Sequence, residues 1–320
     1  MQKSIREVCM PFDAKTSLHQ AAAKTNGVRG LSFPVQLPES TIEADAPARL
    51  QAAQNPPNQL ILSVPISLVD LKTAVGTILL WTQNRVAKYV CVRDVHGLMI
   101  SLRNPALMEI HRAAGMVTPD GMPLVWISKW RSKLPVKRVC GADLVDALCN
   151  DGQSSGLRHY FYGGKPGIAE SMIRNLKAKY PDLVVAGFYT PPFRSLTEKE
   201  DAAIVDAINK SGAQVVWIGL STPNQEFWTR DHVGQINGAT LIGVGAAFDF
   251  HSGAVTRAPK WMQKSGFEWL HRLLSEPRRL WRRYLVIAPS FVVRIVREEI
   301  GFRLAKRRPL SSHVAAARHD

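Results

Sequence analysis

Short apolar runs alternate with longer amphipathic segments through the middle of the chain, from about residue 59 to residue 260. The short runs are rich in β-branched and aromatic residues, as buried strands are, and the longer segments repeat their apolar positions at helical spacing. This alternation predicts a Rossmann-like α/β domain, in which a parallel sheet of about six or seven strands has helices on both faces. The predicted strands cover residues 61–64, 89–92, 116–119, 158–162, 183–188, 214–219 and 240–245, and the predicted helices cover residues 67–85, 104–115, 122–130, 144–150, 168–180, 198–210 and 226–230.

The two ends of the chain differ from this domain. Residues from about 16 to 58 are rich in Ala, Gln, Pro and Ser and have few large apolar side chains, which predicts a mobile extension over residues 1–58. The first residues include no continuous apolar run of the kind that a secretory signal needs, so we expect a cytoplasmic protein. Residues 261–308 interleave aromatic and aliphatic residues with arginines, which predicts a basic amphipathic helical appendage followed by a tail over residues 309–320.

Charge is concentrated in this appendage. The chain has a formal net charge of +15, and residues 264–308 contain twelve Lys and Arg against four Glu. Basic helices with aromatic anchors suit an anionic membrane surface. Two alternatives are nucleic-acid binding through the phosphates and a basic helix face that is only exposed to solvent. The longest charge-free run, Tyr284–Val293, is far shorter than the roughly 20 residues of a transmembrane helix, so we expect the appendage to lie on the bilayer or against the core.

The cysteines give no indication of a metal site. They follow neither a CxxC pattern nor the spacing of Cys/His zinc ligands, and most have apolar neighbours. This arrangement favours reduced, buried thiols over a disulfide framework. The residues concerned are Cys9, Cys91, Cys140 and Cys149.

Two predicted strands end in glycine and open into polar turns. After residue 219, Thr222 and Gln225 offer neutral donors and acceptors beside Pro223, in the first turn of the next predicted helix. A helix start of this kind binds anions, although such residues also serve as ordinary N-caps. After the second strand, Gly245 allows close backbone approach, and Asp249 lies among aromatic residues, where it either binds a nucleobase or caps its own turn.

Polar groups also follow other strands, at the sheet edge where open α/β folds bind ligands. Asp120 comes directly after residues 116–119 and is either a general base with a pKa raised by burial or a plain N-cap. Asp94 and His96 follow residues 89–92, and the isolated His96 favours an ordinary turn histidine. Gly163 and Gly164 open a strand, turn and helix layout that suits phosphate without matching a Walker A motif.

Six sequence blocks, in order, resemble the WecG/TagA/CpsF glycosyltransferases over about residues 60 to 284. The blocks are TPDGMPLVW, YFYGGKPGIAE, IGLSTPNQEFW, GVGAAFDFHSG, RAPKWMQ and FEWLHRLLSEPRRLWRRY. The resemblance implies an inverting hexosyltransferase that moves a hexose or N-acetylhexosamine derivative from a UDP-sugar to a polyprenyl-diphosphate-linked saccharide in cell-surface polysaccharide synthesis. It further implies peripheral attachment at the cytoplasmic face of the membrane, with the appendage helping to close the site.

The resemblance also implies roles for individual residues. Asp120 would be the catalytic base, and no Asp-x-Asp pair for a metal ion is found, so cationic and backbone donors would meet the charge of the leaving UDP without a metal or further cofactor. Acceptor-diphosphate contacts are expected from Arg272, Arg279 and Arg282. Donor contacts are expected from Asp94, Arg138, Gly163, Gly164, Thr222, Gln225, Gly245 and Asp249.

One departure from the family pattern bears on the donor. Many relatives carry Thr-x-Asn where this chain has Val92, Arg93 and Asp94. A carboxylate at this position disfavours an anionic donor unless a cation offsets it, which favours glucose or mannose as much as N-acetylmannosamine. The chain is therefore expected to be an exopolysaccharide-type member, and a non-catalytic nucleotide-sugar- or membrane-binding module is the alternative function.

Overall fold

The structure is a computed structural model in which residues 54–307 are described. It contains a six-stranded parallel sheet with helices on both faces, as the alternating pattern predicts. Its strands are β3 (Lys88–Arg93), β4 (Met116–Pro119), β5 (Arg158–Gly163), β6 (Val184–Tyr189), β7 (Val215–Gly219) and β8 (Thr240–Gly243). Across the sheet, the strand order is β4-β3-β8-β7-β5-β6. Nearly all of the predicted N-terminal extension, residues 1–53, and the whole predicted tail, residues 309–320, lie outside the described residues.

A separate antiparallel hairpin precedes the sheet, formed by β1 (Asn58–Ile61) and β2 (Val64–Ser67). The predicted strand over residues 61–64 is therefore wrong, because its centre is the turn of this hairpin. Leu62 and Ser63 have φ angles of 48° and 68°, the left-handed conformation that a tight hairpin turn requires. Ser67 Oγ accepts a hydrogen bond of 3.0 Å from the Val117 amide, which fixes the hairpin against β4.

Helices alternate with the strands of the sheet along the described part of the chain. These helices are α1 (Leu71–Gln83), α2 (Val95–Ser101), α3 (Pro105–Ala113), α4 (Met122–Ser132), α5 (Gly141–Asp151), α6 (Ile168–Lys179), α7 (Glu198–Ser211), α8 (Asn224–His232) and α9 (Ala247–Ser252). The described part of the appendage consists of four further helices, α10 (Lys260–Ser265), α11 (Glu268–Ser275), α12 (Pro277–Arg282) and α13 (Ala288–Arg307). A 3₁₀ turn (Gln153–Ser155) follows α5, and a π-helical turn (Arg283–Ile287) joins α12 to α13.

Local capping explains where several helices differ from the prediction. Asp70 accepts the Thr73 amide at 3.0 Å, so α1 begins at Leu71 rather than at residue 67. Asp94 caps α2 in the same way, a helix that the sequence pattern did not predict. The predicted helix over residues 144–150 begins earlier, because α5 starts at Gly141 and Asp143 lies in its first turn. Pro223 precedes α8 rather than lying in its first turn, and its peptide bond with Thr222 is cis.

Two apolar layers enclose the sheet, because successive side chains of each strand point to opposite faces. One layer packs α1, α5, α6 and α9 against residues such as Trp217 and Ile242. The other packs the hairpin, α3, α7 and α8 against residues such as Tyr162 and Ile218. Of the four cysteines, Cys91, Cys140 and Cys149 are buried free thiols, while Cys9 lies outside the described residues.

The appendage packs against the domain along its last helix. Phe291 is 3% exposed within the second layer, and Ile287 and Ile295 pack beside it. In addition, Arg131 of α4 forms ion pairs with Glu298 and Glu299. Through residues 54–307, no helix combines the length and the apolar character needed to cross a bilayer.

Candidate active site

A cleft of about 240 Å³ opens at the carboxyl edge of the sheet, between the domain and the appendage. Asp94 and Asp120 line its floor, because each directly follows one of the two adjacent strands β3 and β4. The appendage covers the opposite side. Its lining residues are Gln263, Gly266, Glu268, Trp269, Arg272, Arg283, Tyr284 and Ala288.

Arg138 holds Asp120 in place. The Val139 amide donates to the Pro119 carbonyl at 2.9 Å, which brings the preceding arginine beside the end of β4. Arg138 then donates from Nη2 and Nε to Asp120 Oδ1 at 2.9 and 3.1 Å. Burial raises the pKa of Asp120, with further increases from Asp94 and Glu268, while Arg138 opposes them. With 29% of its side chain exposed, Asp120 is open to a ligand in the cleft.

Asp94 has the opposite electrostatic environment. It accepts the Gly97 amide at 2.8 Å as the cap of α2, and it forms an ion pair with Arg283 of the appendage. Burial alone would raise its pKa, but Arg283, the Gly97 amide and Arg93 together lower the pKa of Asp94 to about 2. His96 also lines the cleft, and burial lowers its pKa. Asp94 is therefore a permanent anion, whereas Asp120 is the carboxylate suited to exchange protons.

A chain of ion pairs extends from Asp120 into the appendage. Arg138 Nη1 donates to Glu268 Oε2 at 2.6 Å, and Arg257 Nε lies 3.9 Å from the other oxygen of Glu268. Arg257 in turn donates to Asp143 at 2.6 Å. Glu268 is the first residue of α11 and is only 8% exposed, so the docking of the appendage and the environment of Asp120 are directly linked.

A smaller recess of about 50 Å³ adjoins the cleft at the start of α5. Gly141 and Ala142 line this recess at a helix N-terminus whose cap residue, Cys140, forms no side-chain capping bond. Arg138, Arg257 and Arg272 also line the recess. Free helix amides and arginines together favour a phosphate or diphosphate group. In the described part of the chain, no three His, Cys, Asp or Glu side chains are grouped as a metal ion requires.

Thr222, Gln225 and Gly245 lie close together. Thr222 Oγ1 and Gln225 Nε2 both donate to Glu226 Oε1, each at 3.1 Å, and Gln225 is only 4% exposed. The Gln225 side chain packs against Gly243 and Gly245, where an added Cβ would approach it to between 3.2 and 3.3 Å. Thr222 and Gln225 are thus organised around Glu226, and neither they nor Gly245 line the cleft or the recess.

The glycine turn after β5 and Asp249 are separate from Asp120. Gly163 has a φ of 124°, and a Cβ there would lie 2.7 Å from the backbone of Gly219, so the approach of two strands explains this glycine. Gly164 lies against Phe248, and Asp249 follows in α9. Gly163, Gly164 and Asp249 do not line the cleft or the recess.

The three predicted appendage arginines have different positions. Arg272 lines both the cleft and the recess, with its guanidinium 5.7 Å from the Phe250 ring centre. Arg279 pairs with Glu276 at 2.6 Å on the surface, and Arg282 lies over the ring of Trp281. The arginine that enters the cleft beside Arg272 is Arg283, which the sequence reasoning did not select. The sequence analysis also missed Glu268 and Arg257. Glu268 is one of four acidic residues among twelve basic ones in residues 264–308, and this scarcity was a signal that it pairs with an arginine.

Comparison with known proteins identifies the family. The family model described as Glycosyl transferase WecG/TagA/CpsF family matches residues 59–305. The chain belongs to this glycosyltransferase family. It is 31% identical over 217 residues to an N-acetylglucosaminyldiphosphoundecaprenol N-acetyl-β-D-mannosaminyltransferase of Bacillus spizizenii, a match that covers 68% of this chain and 81% of the relative. A protein of the same description from Bacillus subtilis is 26% identical over 227 residues, covering 68% of this chain and 86% of the relative.

The cleft of this family member brings together Asp120, Arg138, Asp94 and Arg272, four of the residues selected from the sequence. The match over residues 59–305 also spans both the α/β domain and the appendage, so the two parts that form the cleft belong to one family unit.

Proposed function

We propose that the chain is an inverting hexosyltransferase that moves a hexose or N-acetylhexosamine derivative from a UDP-sugar to a polyprenyl-diphosphate-linked saccharide. The observation that carries the proposal is the position of Asp120, which lies beside Arg138 in a cleft that Asp94 and Arg272 also line. The raised pKa of Asp120 and the lowered pKa of Asp94 support Asp120 as the base. The names of the two Bacillus relatives, which act on N-acetylglucosaminyldiphosphoundecaprenol, support a lipid-linked acceptor.

In the proposed mechanism, Asp120 removes the proton of the acceptor hydroxyl as that oxygen attacks the anomeric carbon of the donor sugar. The bond from the anomeric carbon to the UDP oxygen breaks at the same time, and the electron pair moves onto the diphosphate. The amides at the start of α5, with Arg257 and Arg272, would stabilise this charge in the adjoining recess. Cationic and backbone donors would then serve in place of a metal ion.

The donor sugar is proposed to be neutral. Asp94 pairs with Arg283 and caps α2, so the carboxylate of a uronic-acid donor would have to compete with Asp94 for this arginine. This pairing supports glucose, mannose or an N-acetylhexosamine as the donor sugar, and synthesis of an exopolysaccharide repeat unit as the role. The basic surface of the appendage supports a peripheral position on the inner face of the cell membrane.

Turnover with a panel of UDP- and GDP-sugars tests the proposal. The full chain would be assayed with an N-acetylglucosaminyldiphospholipid acceptor, and a neutral UDP-hexose or UDP-N-acetylhexosamine is expected to be consumed. The control is UDP-glucuronic acid, which matches UDP-glucose except for its carboxylate. Turnover of the uronic-acid donor alone would refute the neutral-donor proposal, and donor binding without any transfer would favour the non-catalytic alternative.

The link between Glu268 and Arg138 predicts a change in pH dependence. The variant Glu268→Gln removes the negative charge that helps to raise the pKa of Asp120. It also removes the carboxylate that pairs with Arg138, so Asp120 becomes the one charged partner of Arg138 among the two. The pKa of Asp120 should therefore fall, so the acid limb of the kcat profile moves to lower pH. The weaker base should also lower kcat at neutral pH, within about tenfold.

The matched control is Glu276→Gln, which changes an appendage glutamate that pairs with Arg279 on the surface. Its pH profile should superimpose on that of the unmodified protein. A Glu268→Gln profile with an unchanged acid limb would show that the ion-pair chain does not influence Asp120.

A further inference from the structure

Helix α4 and the residues just after it carry three large apolar side chains that are exposed to solvent. Trp126 and Trp130, one helical turn apart on α4, are 55% and 48% exposed, and Leu134 just beyond the helix is 44% exposed. Single exposed apolar residues are ordinary, but a contiguous group with two tryptophans marks an interaction surface. The function proposed above gives these side chains no role.

Arg131, on the flank of α4, joins this helix to its neighbours. Its guanidinium donates to the Leu60 carbonyl at 2.9 Å and lies 5.7 Å from the ring centre of Phe302 in α13. The surface formed by Trp126, Trp130 and Leu134, here called the tryptophan face, therefore belongs to α4 and the residues just after it, in a helix fixed against the hairpin and the appendage.

Charge distinguishes between the kinds of partner that would cover the tryptophan face. Residues 121–142 contain no acidic residue, and Lys129 and Lys133 are exposed beside Trp126 and Trp130. A second copy of the chain, packed face to face, would offer these lysines no acidic partner from residues 121–142. An anionic lipid surface satisfies both features, because tryptophan prefers the headgroup layer and lysine pairs with lipid phosphates.

The tryptophan face also lies close to the cleft. Met122, at the start of α4, and Gly266 both line the cleft, and the Trp126 ring lies 3.6 Å from the position of a Cβ built on Gly266. A bilayer in contact with Trp126 would therefore adjoin the cleft mouth, where a lipid-linked acceptor has to enter.

We propose that the tryptophan face lies in the headgroup layer of an anionic bilayer and is a membrane contact in its own right, beside the basic appendage. This inference rests on the proposed function for its lipid-linked acceptor. The contact is made by the α/β domain, so it holds the cleft mouth against the bilayer independently of the appendage arginines.

Vesicle binding of the full chain tests the inference. Partition onto phosphatidylcholine vesicles that contain phosphatidylglycerol should fall by at least about tenfold in the double variant Trp126→Ala/Trp130→Ala. The matched control is Phe193→Ala, which removes an aromatic ring that is 85% exposed near the end of β6, at the opposite edge of the sheet. Its partition should equal that of the unmodified chain.

A second variant tests the electrostatic part. Lys129→Glu/Lys133→Glu should also weaken binding to the anionic vesicles, and its difference from the unmodified chain should shrink at high salt, which screens exposed charges. Both double variants should keep their turnover on a short-chain, water-soluble acceptor, because none of the four residues lines the cleft. Retained turnover also shows that the variants fold.

Specific outcomes overturn the inference. Unchanged vesicle binding by the tryptophan variant would do so, and so would a change in molecular mass on gel filtration without loss of vesicle binding, which indicates self-association. The proposed function can fail separately. If the unmodified chain binds vesicles but transfers no sugar, and the double variant Trp126→Ala/Trp130→Ala loses vesicle binding, the tryptophan face is supported and the proposed function is refuted.

Discussion

The variant Asp120→Asn is expected to lower kcat for sugar transfer by about 10²–10⁴-fold with little change in the KM for the donor. Asparagine has nearly the same shape and still accepts hydrogen bonds from Arg138, but it cannot take the proton of the acceptor hydroxyl. Steady-state rates with saturating lipid acceptor measure the loss, and calorimetric titration with the nucleotide sugar checks that donor binding persists.

The pH dependence of the unmodified protein provides an independent check. Because burial raises the pKa of Asp120, transfer should fall as pH decreases through a value above the ordinary range of an aspartate. A suitable control is Asp146→Asn, which removes a partly exposed carboxylate that pairs with Lys179 away from the cleft. Full turnover by Asp120→Asn would eliminate Asp120 as the base, and the search would move to the other groups in the cleft.

The appendage contributes to the chemistry of the cleft through charge as well as coverage. Arg283 keeps Asp94 ionised, and Glu268 raises the pKa of Asp120 while it competes for Arg138. Movement of the appendage away from the domain would therefore change the pKa values of both Asp94 and Asp120. Membrane contact near the cleft mouth would favour the docked arrangement and with it the basicity of Asp120.

Much of the fold was predictable because it depends on local patterns. Strands β3 to β8 coincide with apolar runs, and their parallel arrangement follows from the helices between them. The hairpin was missed because Leu62 and Ser63 adopt positive φ angles without the glycine or asparagine that usually marks such a turn. Helix α2 was missed because it has seven residues, too few for a helical period to be visible.

The site was predictable where it depends on strand ends. Asp94 and Asp120 both line the cleft because β3 and β4 are neighbours, and Arg138 reaches Asp120 from the connection between α4 and α5. The appendage arginines were harder to assign, because successive residues of a helix point about 100° apart, so position along the chain does not reveal which one enters a cleft. Arg283 begins a π-helical turn and faces Asp94, whereas roles for Arg279 and Arg282 at the acceptor diphosphate stay predictions.

The largest effect on stability is expected from the ion pair between Arg93 and Glu226, whose side chains are each only 1% exposed. Glu226→Ala should lower the free energy of unfolding by about 3–5 kcal/mol, because it leaves the Arg93 guanidinium buried without its counter-charge. Denaturant unfolding of the full chain, followed by circular dichroism, measures the change. By contrast, Glu109→Ala, which breaks the exposed pair with Arg112, should cost at most about 1 kcal/mol.

A double variant separates the stability of this pair from its role in the site. Arg93→Met/Glu226→Leu removes both buried charges and should recover most of the lost stability, since a buried ion pair is often replaceable by apolar residues of similar volume. Thr222 and Gln225 would still lose Glu226 Oε1, the acceptor that both share. Turnover should therefore remain low although the protein is stable. If Thr222 and Gln225 bind the donor as predicted, the defect should appear as a higher KM for the donor. Recovery of both stability and donor KM would show that Glu226 serves the core alone.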